Sequence, residues 1–197
     1  MTPQQLGRGF EAQRRLEPAY CFGRHMGPAA FDAKPAAVMI ALYEDAGEIC
    51  FPLIRRPATM ASHAGQVSLP GGAVEGAESS VEAAARELEE ELGISIEPSQ
   101  VLGVLTETFI FGSNYRVTPV IAALSEVPVL SPCEREVASV ITCRIEDLGK
   151  VVSQILPTRL VGDRPMPGYL VENQFVWGAT AMILSELYDV HITRKLF

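Results

Sequence analysis

Glu87, Glu90 and Glu91 stand three and four residues apart in the stretch RELEEELG, a spacing that sets their carboxylates on one face of a helix within a single turn. They belong to a run of seven glutamates between Glu75 and Glu91, against the single cation Arg86. Like charges so placed repel, costing roughly a few tenths of a kcal/mol per pair on an exposed helix. Glutamates near the helix C-terminus also oppose its dipole. A hard divalent cation, Mg²⁺ or Mn²⁺, reverses that balance, because carboxylate oxygens are its preferred ligands and it keeps waters for chemistry or for substrate phosphates. The alternative is a solvated acidic face, which is what most charged helix runs are. Two neighbours favour the metal site. The glycines of PGGAVEGAE let backbone approach a ligand, and Arg86 can orient a carboxylate through a bidentate contact.

The elements that must hold these groups follow from local pattern. Ser79 with Glu82 makes a capping box, Ala83, Ala84 and Ala85 favour helix, and Gly93 ends it, which predicts a helix over residues 80–92. The apolar stretch AVMIALYED predicts a buried strand, AGEIC a turn, and ICFPLIRR a second strand. PATMASHAGQVSLPGGAVEGAE, rich in turn formers, reads as one long functional loop. QVLGVLTETFIF and YRVTPVIAAL form a pair of strands around GSN, and EVASVITCRI another strand. EAQRRLEPAY closes a short N-terminal helix. FVWGATAMILSELYDV predicts a C-terminal helix with Trp177, Ala181, Leu184 and Leu187 on its buried side. Strands interleaved with helices give an α/β or α+β sandwich on a mixed sheet.

The 197 residues suit one globular unit, and a net charge of −8 argues against a nucleic-acid partner, which needs a basic face. Cys21, Cys50, Cys133 and Cys143 form no CxxC pair and read as reduced thiols. The polar N-terminus lacks a signal-peptide core and the longest apolar run, residues 36–43, is too short to cross a bilayer. The expectation is a cytoplasmic protein with no membrane partner; a homodimer is left open.

Residues 72–94 resemble the Nudix box: Gly72, five residues, Glu78, seven residues, then Arg86-Glu87-Leu88-x-Glu90-Glu91-x-Gly93-Ile94, with every defined position matched. The resemblance implies a Nudix-type α/β/α sandwich with a mixed β-sheet and a loop-helix catalytic motif, spanning 35–197 after an N-terminal extension of 1–34. It also implies hydrolysis of a nucleoside diphosphate linked to another group. Glu87, Glu90 and Glu91 would hold Mg²⁺ or Mn²⁺, Arg86 would orient them, and Gly72 would give a backbone ligand or close approach. The general base is Glu90 or Glu91, or a carboxylate from a later loop, Glu134 or Glu136.

Upstream, PLIRRPATMASHAGQVSLPGG resembles the signature of the coenzyme A pyrophosphatase branch at Leu53, Arg56, Gly65, Pro70, Gly71 and Gly72. It departs at Ile54, Pro57, Ala61 and Leu69, and Ala61 lacks the guanidinium that would clamp a phosphate. Pro167-Gly168-Tyr169 and Trp177-Gly178-Ala179-Thr180-Ala181 resemble the tail of the same branch; Gly178 and Ala179 would let a helix start pack tightly on the sheet. The implied substrate is coenzyme A or an acyl-CoA, a small nucleotide, contacted by Arg55, Arg56, His63, Gly71 and Gly72. Tyr115 and Arg116 after their turn face either substrate or solvent. ADP-ribose, NADH or a dinucleoside polyphosphate is the enzymatic alternative, and a non-catalytic nucleotide-sensing module or an acidic docking face the alternatives from other classes.

Overall fold

The computed structural model describes residues 3–6, 9–18, 29–59, 64–156 and 165–194. In chain order its elements are α1 (Phe10–Arg14), β1 (Lys34–Asp45), β2 (Glu48–Arg55), β3 (Val67–Ser68), β4 (Gly71–Ala73), α2 (Ser80–Leu92), β5 (Val101–Val104), β6 (Thr108–Ile110), β7 (Tyr115–Ala123), β8 (Ser139–Arg144), β9 (Val152–Ile155), β10 (Pro165–Val171), β11 (Gln174–Trp177) and α3 (Gly178–Arg194).

β1 is the axis of a mixed sheet ordered β3-β2-β1-β7-β5, with β4 also on β1, β6 on β7 and β8 on β2. It runs parallel to β7 from Lys34 opposite Tyr115 to Leu42 opposite Ala123, and antiparallel to β2 and β4. Both faces of β1 are covered, which is why it reads as an unbroken apolar run rather than an alternating one. Ala37, Met39 and Ala41 pack with Ala83, Ala84, Leu88 and Leu92 of α2. Ala36, Ile40 and Leu42 pack on the other face with Leu16 and with Ala181, Leu184 and Leu187 of α3. The period of two along one strand thus separates two cores and produces the three layers.

The long loop expected over residues 57–78 contains two short strands, β3 and β4. Met60 to His63, including Ala61, lie outside the described residues. The single strand expected over QVLGVLTETFIF is broken into β5 and β6. Gly103, at φ 155° beside a shift in register, lets residues 4–6 lie along β5, where Leu6 N–H donates to Val104 O at 2.8 Å and Val104 N–H to Gln4 O at 2.9 Å. Thr106 then leaves the ladder to bond Glu186, a fully buried carboxylate on α3. Glu186 accepts from the Thr106 hydroxyl at 2.8 Å, the Gly9 N–H at 3.1 Å and the Gln13 amide at 2.8 Å. Strands β9 to β11 form a separate antiparallel sheet that the sequence reading omits. Pro165, Pro167 and Gly168 in β10 disguise it, because such residues weaken a strand reading. Trp177 ends β11 rather than riding on α3. Gly178 is needed for its conformation, φ 64° with open space about its Cβ position, and not for the close packing expected of it.

Leu16, fully buried among the β1 and α3 side chains, ties the N-terminal segment into the core. Leu16→Ala should therefore cost about 2–5 kcal/mol, measured by urea unfolding; a value below about 1 kcal/mol would show the segment to be an appendage.

Candidate active site

The carboxylates of α2 face β4 and the end of β2. Ser79 caps the helix, its hydroxyl accepting from Glu82 N–H while Glu82 accepts from Ser79 N–H. Gly93 closes the other end at φ 72°. From that scaffold Glu91 projects inward, 1 % exposed, and one carboxylate oxygen accepts the Gly71 N–H at 2.9 Å. The other lies 3.9 Å from an Nη of Arg56. Burial pushes the Glu91 carboxyl up to about 8, with Glu87 and Glu136 adding to the rise and the Gly71 bond and Arg56 opposing it. Burial likewise raises Glu87, against the Arg86 guanidinium that lowers it.

Arg86 is the hub of the remaining acids. Its guanidinium grips Glu78 through two bonds, 2.9 and 3.2 Å, and donates to Glu87 at 2.8 Å, Glu90 at 3.2 Å and the Ala73 carbonyl at 3.1 Å. That grip holds Glu78 below the usual carboxylate range. The expected bidentate contact is present, and its carboxylate is Glu78, a box residue absent from the site as read from sequence. Glu90, its side chain 57 % exposed, is the most accessible of the three box carboxylates.

Gly71 and Gly72 serve different ends. Gly71 has φ 151°, and a Cβ there would strike the Ala37 carbonyl and Val38. A Cβ on Gly72 would occupy the space of the Glu87 carboxylate. The donor set of hard oxygens suits a divalent cation, as do the close approach of the Glu87 carboxylate that Gly72 permits and Glu91, a buried carboxyl with one hydrogen bond among the described residues. In the present arrangement, among the described residues, no three acidic, imidazole or thiol groups converge as a ready cation site. Arg86 holds Glu87 and Glu90 while Gly71 holds Glu91, so the neutralisation expected from a cation is supplied here by guanidinium and backbone.

The structure separates the two arginines of the substrate loop. Ile54 packs on the α2 face, so Arg56, two residues on, shares that face and meets Glu91, while Arg55 shares the opposite face with Leu53. His63 lies outside the described residues. Arg116 pairs loosely with Glu107 at 3.6 Å, and Tyr115 packs against the α3-side core. Of the two loop acids, Glu134 is exposed and Glu136 half-buried, acting on both Glu87 and Glu91. Cys133 N–H bonds the Glu91 carbonyl at 2.9 Å, Glu136 N–H closes a turn on Cys133 O, and Ala138 N–H reaches Arg55 O at 2.8 Å. The segment bearing Glu136 is thus tied to α2 at one end and β2 at the other. Short polar turns carry no periodicity, so only the acidic residues themselves marked this loop in the sequence.

Two outcomes follow from the geometry. Gly71→Ala should lower the melting temperature by several degrees, since strain of about 1–3 kcal/mol adds to a backbone clash; Gly72→Ala, meeting only the end of a side chain, should lower it much less. In chelator, wild type should lose stability as pH rises from 4.5 towards about 8, because over that window the folded Glu91 keeps a proton that the unfolded chain has released. Glu91→Gln should flatten that decline in scanning calorimetry, and an unchanged decline would refute the raised carboxyl.

A family model for the NUDIX domain matches residues 33–161. The chain is 34% identical over 165 residues to the uncharacterized Nudix hydrolase NudL of Pectobacterium atrosepticum, covering 78% of this chain and 81% of that protein. It is 36% identical over 124 residues to the chloroplastic Nudix hydrolase 22 of Arabidopsis thaliana, covering 62% of this chain and 41% of that one. Among solved structures, the M. smegmatis Nudix hydrolase RenU superposes with TM-score 0.58 at 19% identity over 92% of this chain and 96% of that one. The MutT protein of Methanosarcina mazei gives 0.54 at 22% identity over 84% and 100%. These two share the fold. The match across the box and its flanking strands makes this chain a member of the Nudix hydrolase family, enzymes that act on nucleoside diphosphate derivatives and generally use divalent metal ions.

Proposed function

We propose that the protein hydrolyses the pyrophosphate linkage of coenzyme A or an acyl-CoA, releasing 3′,5′-ADP and 4′-phosphopantetheine or its acyl derivative. The observation that carries this reading is the position of Arg56, the arginine of the coenzyme A signature that stands in register here, against Glu91 of the box, the carboxylate that Gly71 holds. A guanidinium at that point can hold one phosphate of a diphosphate while the carboxylates face the other.

Glu87, Glu90 and Glu91, with the Gly72 backbone, would hold Mg²⁺ or Mn²⁺. When bound, such an ion neutralises diphosphate charge and lowers the pKa of its water. The protein's own groups do the rest. Arg86 orients Glu87 and Glu90, and Gly71 fixes Glu91. Glu90 and Glu136 are the carboxylates available to take the proton of the attacking water: Glu90 because it is accessible, Glu136 because its turn is tied to α2 and β2 and its charge is felt at Glu87 and Glu91. The attack breaks one phosphoanhydride bond, and the freed phosphate carries away the negative charge.

A second reading, hydrolysis of ADP-ribose, NADH or a dinucleoside polyphosphate, is favoured by Ala61 in the place of a phosphate-clamping arginine. The charge of −8 supports a small nucleotide rather than nucleic acid as partner, and a cytoplasmic location, with a homodimer compatible, belongs to the same proposal.

With Mg²⁺ or Mn²⁺ and a panel of coenzyme A, acetyl-CoA, ADP-ribose, NADH and diadenosine polyphosphates, chromatography should show 3′,5′-ADP from coenzyme A ahead of every other product. Turnover of another member alone would replace the substrate and keep the hydrolase. Glu90→Gln should abolish turnover in a folded protein, Glu136→Gln should slow it about a hundredfold, and Glu134→Gln should change it little.

A further inference from the structure

Arg56 stands between two demands. Its backbone is fixed by a pair of bonds, Arg56 N–H to Gln66 O at 3.0 Å and Gly65 N–H to Arg56 O at 3.1 Å, so the side chain swings from a rigid base. That side chain is 22 % exposed, and its contact with Glu91, at 3.9 Å, is too long for a hydrogen bond. Its Nε is buried and makes no hydrogen bond among the described residues. Ser68, opposite Ile54 on β3, is a diagonal neighbour of Arg56 on the same face of the sheet, and its hydroxyl is likewise buried and without a hydrogen-bond partner among the described residues. The face beside Glu91 therefore holds unspent donor capacity next to one loosely neutralised carboxylate. An anion is what such donors lack, and a cation is what the carboxylate lacks.

We propose that Arg56 is a shared counter-ion, resting against Glu91 until an anion draws it to the Ser68 side, so that anion binding and divalent-cation binding at Glu91 promote each other. This rests on the metal-dependent reading above. Arg56 is then a positioning residue as well as a substrate contact: with Arg56 at Glu91 the carboxylate attracts a second cation weakly, and with Arg56 on a phosphate oxygen that competition is relieved. The coupling is reciprocal, so a cation at Glu91 releases Arg56 towards the diphosphate. It would also limit occupation of the site by metal alone.

The test measures Mn²⁺ binding by the loss of the free-ion electron paramagnetic resonance signal, with and without sulfate, an anion that pairs weakly with Mn²⁺. In wild type, sulfate should tighten Mn²⁺ binding by about fivefold or more. Arg56→Gln, its folding checked by circular dichroism, should bind Mn²⁺ more tightly than wild type without sulfate and lose the sulfate response. Arg56→Lys, which keeps the charge, should restore the wild-type order and stands in if the glutamine variant misfolds. A sulfate response that persists in Arg56→Gln, or Mn²⁺ affinity unchanged by that substitution, would overturn the coupling while leaving the hydrolase reading intact. No Mn²⁺ binding to wild type would overturn both.

Discussion

A carboxylate placed 1 % exposed on a helix packed against a sheet is costly unless something answers its charge, and Glu91 is such a group. Around it the chain gathers Gly71, whose N–H reaches it only because β4 can approach without a Cβ, and Arg56, held by the β2–β3 ladder. The capping box and the αL end at Gly93 fix α2 at both ends, which makes the position of Glu91 a property of the whole helix rather than of one rotamer. Arg86 performs the same service for the outer acids. Two guanidiniums and one backbone amide thus organise what would otherwise be a repelling cluster.

The two glycines before the helix show how finely this is divided. Adjacent in sequence and alike in type, one answers to backbone geometry and the other to the volume of a carboxylate. Sequence pattern names both and cannot tell them apart, because what distinguishes them is the atom each would touch.

The helix and the box were legible because their signals are local: a capping residue, a run of alanines, a left-handed end, glutamates at helical spacing. The buried strands β1, β7 and β8 were legible for a similar reason, as apolar runs long enough to fix their type. The breaks were not. β5 and β6 separate because Thr106 turns to Glu186, eighty positions away, and no window of sequence contains both. β10 was hidden by its own prolines. In the site, Arg55 and Arg56 look equivalent on paper, and only the alternation of β2 assigns them to opposite faces. Glu136 and Glu134 were likewise undivided until the turn at Cys133 half-buried the one and left the other exposed.

The buried Glu186 cluster has a bearing on how the molecule comes into being. Gly9 and Glu186 are 177 residues apart, yet the carboxylate on α3 is satisfied by donors from the first turn of the chain and from Thr106. During synthesis the early segment precedes its partner, so Leu16 gains the α3 part of its cover only after α3 has been made. Closing that cluster then joins an early segment to α3, whereas α2 and the strands it packs on all precede α3 in the chain.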